Sequence, residues 1–314
     1  MKDYTAFYKD SLPVDQPIDL GWTLFLSAFN PSQRVQDVFQ RVVASGKHWL
    51  LHNEYSYPLS QRPDGSVFTS ASENEAEFII EFVETKLAGV DLSGERIAVD
   101  ITGFMRPHIM FLVKLLVSRG VKRIDALYSE PTFYASKEKT EFSLGSVNKV
   151  RQVVGFEGLA NTDTTRDFLI IGAGYETHLI AEVAEDKDKA NKIVLLGLPS
   201  LSCDMYQQNA LRTMLAADSI GESIGIKYFA PANDPFATAG VLSEIIDREN
   251  KIAPITNLYL SPLATKAQTL GFALFYLKEC QGTATSIIFP FSSRYSSEGA
   301  SGLARLWRYQ LEFA

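Results

Sequence analysis

The chain has 314 residues, of which 46% are hydrophobic and 21% charged, with a formal net charge of −7. That length supports one large or two ordinary domains with ample core, and the acidic balance argues against a broad nonspecific nucleic-acid footprint. No apolar run reaches membrane-spanning length and the Met1-Lys-Asp-Tyr4 start does not read as a signal peptide, so a cytoplasmic location with no membrane partner is expected.

Residues 1–19 are polar and aromatic with Pro13 and Pro17, and read as an arm or a short edge element. Leu20 to Phe29 reads as a strand, and Asn30-Pro31-Ser32 opens a helix whose stripe is Val35, Val38, Phe39, Val42 and Val43. Gly46 ends that helix, Lys47 to Tyr57 is a second strand, and Pro58 to Asn74 is a long polar loop. A helix from about Glu75 to Gly89, a strand over Arg96–Ile101, a helix from Arg106 to Arg119 and a strand over Val121–Tyr128 follow.

The alternation lapses from Thr132 to Asp167, where one strand is expected at Val150–Phe156 among charged residues including Lys137, Glu138, Lys139, Glu141 and Lys149. It resumes with strands at Phe168–Ile171, Ile193–Leu198, Ile226–Phe229, Asn257–Pro262 and Thr285–Pro290, each of the first four followed by a helix. The tail Leu306–Phe313 alternates like a half-exposed antiparallel strand. Strands alternating with helices predict an α/β fold of mostly parallel Rossmann-like sheets with helices on both faces, in two consecutive runs. The expected division is an N-terminal α/β domain over 1–131, a connector or inserted hairpin over 132–166, and a C-terminal Rossmann-like domain over 167–314.

Cys203 and Cys280 stand too far apart to suggest a disulfide framework or a cysteine-rich zinc site. The histidines are His48, His52, His108 and His178. His48 and His52, four apart in an expected strand, point to one side without the glutamate of a helical zinc motif, so no metal site is expected.

Ligands of open α/β sheets bind beyond the carboxyl ends of the strands, where helix N-termini and polar turns converge. The turns in question carry Asn30 and Ser32; Asp100, Thr102 and Arg106; Ser129 and Glu130; Tyr175, Glu176 and His178; Ser200 and Asp204; Asn233 and Asp234; Ser261, Thr265 and Lys266; and Ser292, Arg294 and Tyr295. Thr265 and Lys266 stand where a strong apolar helix begins, a place suited to an anion. Ser, Thr, Asn and Asp are also the residues that caps and turns use for themselves. No nucleophile–base pair stands out. Cys203 lies just before a helix start, a position that can lower a thiol pKa, although a small buried cysteine is the commoner case. Asp100, Glu176 and Asp234 are the candidate catalytic acids, with Glu130 a further strand-end carboxylate. The sequence leaves the cofactor unassigned.

Gly172-Ala-Gly-Tyr-Glu-Thr177 matches two glycines of the dinucleotide fingerprint, but Thr177 takes the third small position and no acid ends the following strand, which disfavours a dehydrogenase. A Gly-x-x-x-x-Gly-Lys loop is absent, which disfavours a P-loop nucleotidase. Ala98-Val-Asp-Ile-Thr-Gly103 resembles the phosphate loop of phosphoribosyltransferases, with a single acid where that family has two. Over residues 167–314, the Gly-rich turn after the first strand, the further strand–helix steps, the Thr265-Lys266 helix start and the two terminal strands resemble CRISPR-associated Rossmann-fold (CARF-like) sensor domains. That resemblance implies binding of a cyclic oligonucleotide across a homodimer groove, with Gly172 to Glu176 as the first ligand turn and Thr265 with Lys266 as the second. The family usually has two glycines where this chain has Leu263-Ala264.

The expectation is therefore a sensor or regulatory protein that binds a nucleotide or other phosphorylated small molecule. Its ligand residues would be Thr102, Arg106, Gly172, Gly174, Tyr175, Glu176, Asn233, Thr265, Lys266 and Arg294. The alternatives are an enzyme of nucleotide metabolism, phosphoribosyltransferase- or nucleosidase-like, and a non-catalytic scaffold subunit with a protein partner.

Overall fold

The computed structural model describes residues 2–134, 147–203, 205–221, 227–292 and 300–313. In chain order these form β1 (Lys9–Leu12), β2 (Ile18–Ala28), α1 (Gln33–Arg41), β3 (Val42–Leu51), β4 (Val67–Thr69), α2 (Glu75–Lys86), β5 (Ile97–Asp100), α3 (Arg106–Ser118), β6 (Arg123–Glu130) and β7 (Phe133–Tyr134). Then come β8 (Val147–Gln152), β9 (Phe168–Gly172), α4 (Thr177–Asp186), β10 (Asn191–Gly197), α5 (Met205–Leu215), α6 (Ala217–Ile220), β11 (Lys227–Ala230) and α7 (Pro235–Ile252). The chain closes with β12 (Leu258–Pro262), α8 (Lys266–Phe275), β13 (Thr285–Ser292), β14 (Ala300–Ser301) and β15 (Arg305–Glu312). The fold is α/β with two mostly parallel sheets flanked by helices.

The chain divides into two compact units, one of residues 7–136 with 294–314 and one of residues 1–6 with 137–293. The first unit holds a seven-stranded sheet in the order β1-β15-β6-β5-β2-β3-β4. Strands β2 to β6 are mutually parallel, and β15 pairs antiparallel with both β6 and β1. The tail thus belongs to the sheet of residues 7–136 and is an interior strand of it. Leu306, Tyr309 and Leu311 are fully buried, and the Arg308 guanidinium forks onto both Asp10 carboxylate oxygens at 2.8 Å. A planar fork meeting a carboxylate fixes orientation as well as charge. Trp22 and Trp307 each bury an indole N–H on a carboxylate of β6, at Asp125 (2.8 Å) and Glu130 (2.7 Å).

Val42 and Val43, expected on the first helix, open β3 instead. Their β-branched side chains fit a pleated surface better than a crowded helical turn. Val42 joins the core of Trp22, Phe25, Val38 and Leu306.

The second unit's six-stranded sheet runs β11-β10-β9-β12-β13-β8, parallel except for β8. Every residue of α8 from Ala267 to Phe275 is buried. A helix apolar on all sides has to be covered on all sides, and α8 packs on α7 as well as on β12. The N-terminal residues are held here too, because Tyr4 donates its hydroxyl to Glu279 (2.8 Å), which also accepts from Ser243 (2.9 Å).

The two sheets share one topology. In each, the first parallel strand is flanked by the second and third on one side and by the fourth and fifth on the other, giving β11-β10-β9-β12-β13 and β4-β3-β2-β5-β6. Each therefore has a topological switch point between its first and fourth strands.

Candidate functional site

In the second unit the switch point lies between β9 and β12. Gly172 is opposite Pro262 in the ladder, so the turns Gly172–Glu176 and Leu263–Lys266 leave the sheet side by side. The Leu263 amide donates to the Gly172 carbonyl at 2.9 Å. A Cβ on Gly174 would overlap the Leu263 carbonyl oxygen, and one on Gly172 would press on the Phe272 ring at 3.0 Å. The glycines that resemble a nucleotide-binding turn thus have a packing role: they let two backbones meet at the crevice.

The side chains around this rim include several that cap helices or bond to the backbone. Thr265 caps α8, accepting from the Gln268 amide (3.1 Å) and donating to the Ala232 carbonyl. Asp234 caps α7, accepting from the Phe236 and Ala237 amides at 3.0 Å. Tyr175 donates its phenol to the Met205 carbonyl at 3.0 Å. Lys266, the first residue of α8, is half-buried, as are Tyr175 and Asn233. Glu176, only 4% exposed, stands at the start of α4, and its carboxylate makes no capping bond. Two polar atoms below the rim, Ser261 Oγ and Gln268 Oε1, are buried without a hydrogen-bond partner among the described residues.

The opposite, amino edge of this sheet is chemically closed. Asp167 accepts from Thr256 (2.6 Å) and Asn257 (2.8 Å). A depression of about 510 Å³ beside it is lined by Glu185, Asp188 and Asp218, which repel an anion. Lys192 lines it too, but spends its ammonium on the Asp188 and Ala190 carbonyls (2.8 and 3.2 Å), and burial pushes its pKa down.

In the first unit the switch point lies between β2 and β5. A Cβ on Gly103 would overlap the Ala28 carbonyl oxygen, the counterpart of the Gly174 contact. Asp100 is fully buried and organises the turn, accepting from the Thr102 amide (3.0 Å) and the Ser27 hydroxyl (3.2 Å). The Thr102 hydroxyl in turn meets the Ser129 amide and hydroxyl, both at 3.0 Å. The loop that resembles a phosphoribosyltransferase phosphate site is thus knitted to β6. Arg106 is the half-buried first residue of α3.

Sequence reasoning missed a cluster on this rim. His52, directly after β3, and His108, in the first turn of α3, are 1% and 2% exposed with ring centroids 4.4 Å apart. Phe78 stacks on His52 and meets His108 edge-on, and Phe104 packs edge-on against His52. The Met105 amide donates to His52 Nε2 at 3.4 Å. Glu75, the first residue of α2, is fully buried. Burial pushes the Glu54 carboxyl up to about 7; the backbone amide of Glu54 itself pulls the other way, and Glu73 and Glu75 add to the rise. The available signal was position, since both histidines closely follow the carboxyl end of a parallel strand.

The named site residues fall on different units: Asp100, Thr102 and Arg106 on the first, and Gly172, Gly174, Tyr175, Glu176, Asn233, Asp234, Thr265 and Lys266 on the second. Asp204, Arg294 and Tyr295 lie outside the described residues. Cys203 is exposed and Cys280 buried, and both are free thiols. Among the described residues no group of three or more His, Cys, Asp or Glu is placed to hold a metal ion, and no helix is long and apolar enough to cross a membrane. No family model matches the chain, and no curated protein matches it.

Proposed function

We propose that this protein binds a nucleotide or another phosphorylated small molecule at the carboxyl edge of the second unit's parallel strands, as a cytoplasmic sensor or regulatory protein. One observation carries the reading: the Gly172–Glu176 and Leu263–Lys266 turns flank the switch point of a sheet ordered β11-β10-β9-β12-β13. Crevices of this kind receive ligands because strand ends and helix N-termini meet there. With Thr265 occupied as a cap on the Gln268 amide, recognition of the anion would draw on the Lys266 and Ala267 amides of α8 and on the Lys266 side chain. A symmetric dimer or a protein partner belongs to the same proposal, as the route by which occupancy of the crevice would be read out.

The test is a thermal-shift screen with mononucleotides, cyclic oligonucleotides and phosphoribosyl pyrophosphate, repeated on Lys266→Ala. A ligand at a hundred times its Kd adds about 2.7 kcal/mol of stability. The expected result is a shift with at least one phosphorylated ligand, weakened about tenfold or more in the variant, whose unliganded midpoint stays within a degree. A flat screen, or a variant that loses folding in proportion to binding, overturns the reading.

A further inference from the structure

The carboxyl edge of the first unit buries more ionisable groups than its turns require. Asp100 and Thr102 organise the turn, and the two imidazoles pack beside it in an aromatic box formed by Phe78 and Phe104. Burial in such a box favours the uncharged ring, because a cation there gives up its water. The Met105 N–H lies 3.4 Å from His52 Nε2, a long hydrogen bond in which that nitrogen is the acceptor. Met105 is the N-cap residue of α3, and that helix start carries Arg106 and follows the Thr102 turn.

We propose that the His52–His108 pair is a proton-operated latch on the N-terminal turn of α3. While both rings are neutral, His52 holds the Met105 amide and seats the turn. A proton arriving at His52 Nε2 turns the acceptor into a donor facing another donor. The ring cannot relieve this by a small shift, since His108 and Phe78 pack against it with centroids 4.4 and 5.0 Å away. The turn gives way, and the Thr102–Arg106 segment loosens with it.

The charged groups around the pair bear on this. Arg106, on the same turn, opposes a second positive charge. Glu54 and Glu75 favour one, with exposed Glu73 further out. Glu54, with its carboxyl raised to about 7, titrates over the same range in which an ordinary imidazole charges, about 6.5.

The experiment is amide hydrogen exchange of the full chain at pH 7.5 and 5.5, corrected for intrinsic rates, with imidazole NMR across the same range. Protection over residues 101–112 is expected to fall at least tenfold at pH 5.5 while α8 in the second unit keeps its own. The loss should share its midpoint with protonation of the His52 ring. The double variant His52→Gln, His108→Phe, which keeps an acceptor and the aromatic volume, should show no such loss. Unchanged protection at pH 5.5, a loss shared equally by α8, or a ring titration separated from the exchange midpoint by more than one pH unit would each overturn the latch. The ring titration in the unsubstituted chain decides the matter even if the double variant fails to fold.

Discussion

Replacing Glu54 by glutamine isolates the energetic cost of one buried carboxyl. In the folded first unit Glu54 is 8% exposed, and burial raises its pKa from 4.5 to about 7. A group whose folded pKa is raised binds its proton more tightly in the folded state, so its contribution is fully present below the unfolded value and is lost as pH rises through the folded one. The window is therefore about pH 4.5 to 7. A tenfold difference in proton affinity between the folded and unfolded chain is worth about 1.4 kcal/mol, so across this window the effect amounts to about 3 kcal/mol. Glutamine keeps the shape and polarity but never ionises. Glu54→Gln should match the parent near pH 4.5 and exceed it by up to about 3 kcal/mol at pH 8. The difference should grow across the window and stay level above it.

The assay can be confined to the affected unit. The three tryptophans, Trp22, Trp49 and Trp307, all belong to the first unit, so indole fluorescence during urea unfolding follows that unit alone. Parallel stability profiles for parent and variant between pH 4.5 and 8 would refute the reasoning, because they would mean that Glu54 is hydrated in the folded state.

Two glycine substitutions test the crevices separately. Gly174→Ala should destabilise the second unit by about 3 kcal/mol or more, since a backbone carbonyl cannot step aside as a side chain can; circular dichroism should register the change while indole fluorescence keeps its midpoint. Gly103→Ala should do the reverse, moving the tryptophan-reported transition of the first unit. Asp234→Ala should cost the second unit about 1 kcal/mol through loss of the α7 cap, and Asp234→Ser should recover most of it; if the serine variant is as unstable as the alanine one, capping is not the residue's contribution.

Much of the candidate rim was legible in the sequence for a definite reason. Turn chemistry is local: Asn74 before the Glu75 helix, Asp234 before Pro235 and Thr265 before Lys266 announce helix starts, and each side chain caps its own helix. The same logic leaves two readings where a residue type serves two purposes. Thr265 and Asp234 are the residues an anion site or an acid catalyst would use, and both are spent on backbone amides. The pairing of the histidines was not legible, although each follows a strand end, because the two are 56 positions apart (108 − 52) on different elements. Nothing within a helical turn or a strand repeat of either residue signals the other.

The chain's own periodicity determined that strands alternate with helices, that the sheets are mostly parallel and that polar turns stand at their carboxyl ends. These are consequences of side-chain spacing along a few residues, and they survive without knowledge of what packs against what. Only the tertiary structure decided that β12 lies beside β9, that β15 returns to pair with β6, and that His52 and His108 share one aromatic box. Strand order and shared burial depend on contacts between residues distant in the chain, whose energy comes from excluding water jointly, and no local pattern encodes the partner.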